Sequence, residues 1–524
     1  MTRYLRYLLP SLADVIFISI FFYLSFTPDI GLLSDGNTGY HIRAGEYILD
    51  TFTIPRIDPY SFITPPMQWT VHEWLSEIFM ALAHRISGLS GVVVFYSLIL
   101  AATFYILVRS LKTAGVSALP AAAATIVIFA ASTLHWLARP HVFSFLIIVL
   151  WLHILNSYEE RSRNQLYLLP LLMLFWVNLH GGYIIGFVFI CIYLAGNLLL
   201  IFTDKEAWQS GGMKRAKGYG SILGVCMGTA ILNPFGWKIF LFPFKLVFDK
   251  YQMDHTQEFL SPNFHEQPLF KAMLLTLVLL LAFSKKRLTL IQIALVIFFT
   301  NMSLYSIRYV PLFAIIIVPI MLQYMELDFG EYLPRVRAFF RKRIETVSGM
   351  DAMSRGFFWP IAAILLVCVQ LYNGGIVHGF DPKIKAVDAV KFMKREQIPG
   401  RMFNNDEIGD LIIYGAHRQY KVFIDGRLDM YGTERLKEYF KITSASTEWE
   451  ELIRKYGVSW IIFDTDSTFV RYLQVRKEWR LIYSDRVASI FVSNTPLYAD
   501  LIARYPNVQL AKIEDKEKDK RKKE

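Results

Sequence analysis

Cysteine is almost missing from this chain. Cys191, Cys226 and Cys368 are the three in 524 residues, and each stands inside an apolar run. That spacing excludes a disulfide framework and a CxxC metal site, and leaves three small buried hydrophobes. Charge is also scarce, at 19% of residues against 54% hydrophobic, which excludes the usual make-up of a soluble globular protein. No internal repeat is visible. No small-x-small cleavage site follows the first apolar run (about 16–26, behind Arg3 and Arg6), so that run is expected to stay as an uncleaved first span. The formal charge is +11, yet no basic patch is interleaved with base-stacking aromatics, which argues against nucleic acid.

What the chain does have is long apolar runs. Besides the first, they lie at roughly 89–110, 118–137, 142–157, 164–178, 183–203, 219–233, 268–284, 288–304, 308–325 and 357–374. A helix crosses a bilayer core in about 20 residues, so about eleven crossings are predicted. Arg109/Lys112, Arg161/Arg163, Lys214/Arg215/Lys217, Lys285/Lys286/Arg287 and Arg341/Lys342/Arg343 all fall in turns of one parity. Excess Lys and Arg marks cytoplasmic loops. The N-terminus is therefore expected inside, the loop after the first span outside, and the C-terminal part outside.

After about residue 375 the composition becomes that of a soluble domain. KAVDAVKFMKRE and Thr447–Tyr456 read as helices, and YKVFIDGR, VSWIIFDT and RLIYSDRVASIFVS as β-rich runs, giving a small α/β domain. The expected fold class is an α-helical polytopic membrane protein with a C-terminal extracytoplasmic α/β domain. Its expected divisions are 1–375 (with a first outside loop at about 31–88), 376–508, and a solvated, charged, disordered tail at 509–524.

The stretch Ser34–Glu77 breaks the apolar pattern. Between two spans it carries Asp35, His41, Glu46, Asp58, His72 and Glu73 among Tyr40, Tyr60, Trp69 and Trp74. The predicted outer turns add His135, Arg139 and His141, then Asn178 and His180, then Asp254, His255, Glu258, His265 and Glu266, then Arg308. Ionisable groups at a membrane edge usually line a pathway or a site. The pattern predicts a polar pocket opening outward, roofed by the first loop, in which Asp35, Arg139 and Arg308 meet. Asp35 suits a general base acting on a hydroxyl. Arg and His suit a phosphate, Arg through its forked donors. A phosphate leaving group at the membrane surface implies a lipid-linked donor.

Each residue also has a plainer reading. Asp35 can cap the helix that begins near Tyr40, and Asp58-Pro59 can start a turn. His72 and Glu73 can sit on an interfacial helix anchored by Trp69 and Trp74. Arg139 and Arg308 can snorkel to the interface, and His180 can mark a tight turn before Gly181-Gly182. Asp425-Gly426-Arg427 with Asp429 reads as a turn with a salt bridge, or else as a carbohydrate contact.

LLSDGNTGYHIRAGEYIL, PRIDPYSF and WTVHEWLSE, in that order between the first two spans, resemble the first extracytoplasmic loop of bacterial GT-C-fold glycosyltransferases. That superfamily includes protein mannosyltransferases and lipid A aminoarabinose transferases. FNNDEIGDLIIYG followed by KVFIDGRLDMYG is similar to the C-terminal extramembrane part of one bacterial branch. The resemblance implies a multi-pass protein of the bacterial plasma membrane. It further implies inverting transfer of a sugar from a polyprenyl-phosphate donor to a lipid, glycan or protein acceptor on the extracytoplasmic side. The family's acidic residue falls on Asp35, as the base. His41, Asp58, His72, Glu73, Arg139, His141, His180 and Arg308 then hold substrate or orient the base. Many members pair acidic residues there around a divalent metal. Here Gly36-Asn37 follows Asp35, so a divalent metal is left open and no other cofactor is implied.

Two other classes of function fit parts of the pattern. A transporter or flippase of lipid-linked glycans would show repeats and broken helices at the midplane, and neither is seen. A non-enzymatic envelope-assembly scaffold leaves the acidic loop unexplained.

Overall fold

The computed structural model describes residues 5–28, 31–161, 163–203, 211–284, 286–323, 334–354 and 356–512. Arg3, Lys285 and the tail beyond 512, named above, lie outside them. The chain forms two compact units. One comprises Met1–Pro28 and Arg85–Val377, the other Asp29–His84 and His378–Glu524. The sequence reading puts the loop at 31–88 with the membrane part, whereas the structure groups its residues up to His84 with the C-terminal part. The helix Trp74–Thr113 is broken at Ser87-Gly88, where Gly88 takes φ +59. Glycine reaches that left-handed backbone without a Cβ penalty, and the apolar run begins just after it.

The first unit is a helical bundle. Among the described residues, five helices are long and apolar enough to cross a membrane: Arg6–Phe26, Trp74–Thr113, Ala118–His135, His141–Arg161 and Gly181–Thr203. Five shorter apolar helices follow the same pattern, namely Leu166–Leu179, Pro268–Phe283, Leu290–Tyr305, Ile307–Gln323 and Phe358–Tyr372. Together they account for ten of the expected runs. The remaining one, 219–233, falls in the helix Met213–Ala230, which packs on Leu169–Leu179 and Ile184–Thr203.

Side-chain pairings sort the turns of this bundle by parity, as alternating crossings require. At one end Arg139 pairs with Glu258, Asn233 donates to Asn178 (3.1 Å), and Tyr183 donates to the Ile239 carbonyl (2.7 Å). At the other end Lys112 pairs with Asp351, which also accepts the Leu12 amide (2.8 Å). There too the Ala118 amide donates to Ser348 (3.3 Å), and Gln292 donates to Gln323 (3.3 Å). The chain is thus an α-helical multi-pass membrane protein with a small sheet-bearing unit.

In the second unit, strands β1 (Arg401–Asn404), β2 (Val458–Asp464), β3 (Trp479–Ser484) and β4 (Ala488–Ser493) form one sheet in the order β1-β2-β4-β3. β1 runs parallel to β2, and the other pairs are antiparallel. Helices Asp406–Ala416, Leu428–Thr443 and Trp449–Tyr456 fill the crossover from β1 to β2, as a parallel pair requires. β3 and β4 form a hairpin at Asp485, whose carboxylate accepts the Val487 and Ala488 amides (2.7 and 2.8 Å).

The run YKVFIDGR forms no strand of this sheet. Its backbone is taken instead by the Asn404 side chain, which accepts the Phe423 amide and donates to the Ile424 carbonyl (2.8 and 2.7 Å). Val422 bridges the first loop, donating to the Tyr60 carbonyl (3.0 Å) and accepting from the Phe62 amide (3.2 Å). A segment that looks like a strand by composition therefore joins the loop to the C-terminal part.

Candidate functional site

Asp35 lies in the turn ahead of the helix Thr38–Thr51, half-buried, and its carboxylate accepts the Asn37 amide (2.9 Å). The helix N-cap is Asn37 rather than Asp35. The helix Thr38–Thr51 rests on Asp406–Ala416. A Cβ at Gly36 would come within 2.7 Å of the Glu407 carbonyl oxygen, and one at Gly39 within 2.8 Å of the Asp410 carbonyl oxygen. The glycines beside Asp35 are therefore what let it approach Asp406 and Asp410. Burial, then Glu407 and Asp35, push the Asp406 carboxyl up to about 6. Burial, then Asp425, Asp35 and Asp406, raise the Asp410 carboxyl well above the carboxylate range. Crowded carboxylates in low dielectric cannot all ionise, so burial and the acidic neighbours favour the protonated form of Asp410.

A second group runs along the same loop. His41 Nδ1 lies 3.2 Å from Glu77 Oε1 and its Nε2 3.9 Å from Glu73 Oε2, while Glu73 Oε1 lies 3.4 Å from His72 Nε2. Burial pulls His72 down, but Glu73 and Asp429 outweigh it and carry the imidazole up to about 9, so it is charged at neutral pH. Glu77 was missed as a partner. Its spacing from Glu73, one helical turn, was the available signal.

Asp58 is buried and committed. It accepts the Tyr60 and Ser61 amides (2.9 and 3.1 Å) and the Ser61 hydroxyl, and it pairs with Arg427 Nη2 (2.8 Å). Arg427 also forks onto Asp425 (2.8 and 2.6 Å), and its guanidinium lies 4.4 Å from the Trp69 ring centre and 5.1 Å from that of Tyr60. Burial opposes ionisation of Asp58, yet Arg427 and the local donors hold its carboxyl below the ordinary value. The turn and the salt bridge expected of these motifs are a single buried assembly that joins loop to domain.

The remaining predicted residues belong to the membrane unit, and there four of them come together. Arg139 Nη1 lies 2.5 Å from Glu258 Oε1. The Arg308 guanidinium stacks over Phe259 (5.4 Å). Ser306 donates to the Glu258 carbonyl (2.9 Å) and the Ile307 amide to the Leu260 carbonyl (2.9 Å), which fixes the loop carrying Glu258 beside the turn carrying Arg308. Burial opposes the charge on Glu258, but Arg139, Arg308 and His135 keep its carboxyl far below the carboxylate range. His141 donates through Nε2 to the His135 carbonyl (2.7 Å), and its ring lies 6.3 Å from that of His180. His180 Nδ1 takes hydrogen bonds from the Gly182 amide (3.0 Å) and Ser144 (2.7 Å), whose oxygen accepts from Trp176 Nε1 (2.8 Å). Sequence reasoning placed Glu258 on the outer face without assigning it a partner. Ser144 and Trp176, inside apolar runs, gave no signal at all.

The arrangement provides two kinds of chemistry. The loop-bearing unit offers a half-exposed carboxylate beside carboxyl groups whose proton affinity is raised. The membrane unit offers two arginines and fixed imidazoles suited to an anion. Among the described residues, no group of three or more His, Cys, Asp or Glu side chains is placed to hold a metal ion.

No family model matches the sequence. No curated protein matches it either. Solved structures do. The apo crystal structure of the Archaeoglobus fulgidus oligosaccharyltransferase is similar over 92% of this chain and 74% of its own, at 12% identity and a TM-score of 0.55. The oligosaccharyltransferase AglB of the same archaeon, in complex with an inhibitory peptide and a dolichol-phosphate, is similar over 88% and 70%, at 13% identity and 0.53. ArnT from Cupriavidus metallidurans, bound to undecaprenyl phosphate, covers 92% and 98% at 12% identity and 0.49. At such identities the likeness is one of architecture, and the first two structures establish it: the chain has the fold of the GT-C glycosyltransferases.

Proposed function

We propose that this chain is a membrane glycosyltransferase that moves a sugar from a polyprenyl-phosphate donor to a hydroxyl-bearing lipid, glycan or protein acceptor. Asp35 takes the proton of the acceptor hydroxyl as its oxygen attacks the anomeric carbon. The bond from that carbon to the phosphate oxygen breaks, with inversion, and the polyprenyl phosphate departs with the electron pair. Arg139 and Arg308, with His141 and His180, bind the phosphate and offset its growing charge. His41, His72 and Glu73 order the loop around the base, and Asp58 anchors it through Arg427. The observation that carries this reading is the gathering of Arg139, Arg308 and the three histidines, drawn from separate turns, on a fold shared with an enzyme solved with a dolichol-phosphate.

The same reading places the chain in a bacterial plasma membrane with eleven crossings, the N-terminus cytoplasmic and both the first loop and the α/β part outside. The test is Asp35→Asn, assayed with a polyprenyl-phosphate sugar. General-base catalysis contributes about a hundredfold to ten-thousandfold, so transfer should fall by that much with the protein still folded and still binding polyprenyl phosphate. Full activity in that variant ends the assignment of the base. Repeating the assay with a chelator reports whether a divalent cation takes part.

A further inference from the structure

Among the described residues, the helix Pro334–Asp351 (PRVRAFFRKRIETVSGMD) stands out in the membrane unit as long and rich in charge. It carries Arg335, Arg337, Arg341, Lys342 and Arg343 against Glu345 and Asp351. Its C-terminal end is pinned to the bundle. Asp351 is buried, pairs with Lys112 and accepts the Leu12 amide, and Ser348 accepts the Ala118 amide. Ile344, Val347 and Ser348 are half-buried toward that side. Phe339, Phe340 and Met350, in contrast, are 57%, 56% and 63% exposed, and the Arg343 guanidinium covers the Phe339 ring (5.3 Å).

Two neighbouring features fix the depth at which these rings lie. Leu12 begins the α-helix Leu12–Phe26 within the first span, Ala118 opens another span and Lys112 lies at the end of a third, so the pinned end lies where the spans end. Close by, Trp359 donates its indole N–H to the Leu8 carbonyl (2.8 Å), with Phe357 and Phe358 exposed beside it. Tryptophan at the end of a span marks the headgroup level. A helix that exposes Phe and Met among Arg and Lys, held at that level, has the make-up of an in-plane interfacial helix.

We infer that Pro334–Asp351 lies in the membrane surface and binds anionic phospholipid headgroups, with Phe339, Phe340 and Met350 in the acyl region. The occupant follows from charge: exposed Arg335, Arg341, Lys342 and Arg343 stand together, and a basic segment at a surface gains about 1 kcal/mol per Lys or Arg from anionic lipid. That is about a fivefold preference per cation. This inference needs only a membrane-embedded chain and is independent of the proposed reaction.

The test uses the full chain in lipid nanodiscs and reads two quantities. Native mass spectrometry compares retained phosphatidylglycerol with retained phosphatidylcholine, for the wild type and for R341E/K342E/R343E. A fluorophore at F340C, with Cys191, Cys226 and Cys368 replaced by Ser, is quenched from either the lipid or the water side. The expected result is a preference of at least about tenfold for phosphatidylglycerol, lost in the charge-reversed variant, with the label at position 340 quenched from the lipid side. Equal retention of the two lipids overturns the inference, as does a preference that survives charge reversal. A label reached only by the aqueous quencher overturns it too, since the face is then free for a soluble partner. The reversed residues are exposed, so the variant should remain folded; Phe340→Ser, which leaves the charge intact, should lower retention less.

Discussion

Two clusters of carboxyl groups, one in each unit, are held in opposite states, although the side chains are alike. In the loop-bearing unit Asp406, Asp410 and Asp464 are pushed up, first by burial and then by one another and by Glu407 and Asp35. In the membrane unit Glu258 is pushed far down, because Arg139, Arg308 and His135 outweigh its burial. What decides the state is therefore the company each carboxyl keeps, not its depth. The loop-bearing unit raises the proton affinity of the carboxyls beside the proposed base. The membrane unit keeps a carboxylate where the proposed donor phosphate must bind.

The largest effect that would break this contrast is at a buried place where the loop-bearing unit behaves like the other. Arg427 neutralises the buried Asp58 and Asp425. Removing one partner of a buried ion pair costs about 3–5 kcal/mol, because the other charges stay buried and unpaired. Arg427→Ala should therefore lower the unfolding midpoint of this unit sharply and expose residues 31–84 to protease. A variant as stable as the wild type would mean that the loop does not depend on this assembly.

Next in size is the competition within the membrane unit. Glu258 pairs with Arg139 and so competes with an anion for it. A hydrogen bond to a charged group is worth about 1.5–3 kcal/mol, so Arg139→Ala should weaken polyprenyl-phosphate binding about tenfold to a hundredfold. Glu258→Gln removes the competing anion and should tighten binding by up to about tenfold. Titration of the purified protein with polyprenyl phosphate measures both. Equal affinities in all three proteins would remove phosphate from this cluster.

These pairings also mark where the sequence stopped being informative. Ten apolar helices follow the hydrophobic runs closely, because span length is a local property fixed by bilayer thickness. The α/β signals at VSWIIFDT and RLIYSDRVASIFVS became β2, β3 and β4 for a similar reason, their alternation being local. That Arg139, His141, His180 and Arg308 stand in turns of one parity was legible, because alternating crossings bring such turns to one end. Asp58 with Arg427 was not, since nothing near either residue reports a partner hundreds of positions away. YKVFIDGR misled for the opposite reason: its composition is that of a strand, but the side chain of Asn404 holds its backbone.

Acidity separates the two units most directly. Asp406 titrates near 6 in the folded protein against an ordinary 3.8, so between those values the folded state binds the extra proton. Stability from this group is present at low pH and falls as pH rises from about 4 to 6. Glu258 has the opposite sign: its contribution is present above its ordinary value of 4.5 and is lost as pH falls below it. His72, raised from 6.5 to about 9, adds stability that is lost only as pH rises through that range. Thermal unfolding across about pH 2–9, with Asp406→Asn and Glu258→Gln beside the wild type, should show each variant flattening only its own slope. The same flattening in both would mean that one common process, rather than two clusters, sets the profile.

The smallest expected effect concerns a single proton. His180 Nδ1 accepts from the Gly182 amide, and Ser144, whose oxygen already takes the Trp176 N–H, has its own proton left to give to the same nitrogen. An imidazole accepting twice at Nδ1 carries its proton on Nε2, so His180 presents a fixed neutral donor. Ser144→Ala removes one of the two bonds and leaves the other, a loss of about 1 kcal/mol. The tautomer should therefore stay but loosen, seen as nitrogen shifts of selectively labelled histidine moving part of the way toward the average of the two forms. If His180 helps bind the donor phosphate, KM should rise a few-fold with kcat nearly unchanged, because a neutral donor contributes to ground state and transition state alike. A wild-type His180 protonated at Nδ1 would contradict the hydrogen bonds that orient it, and with them the role of Trp176 and Ser144.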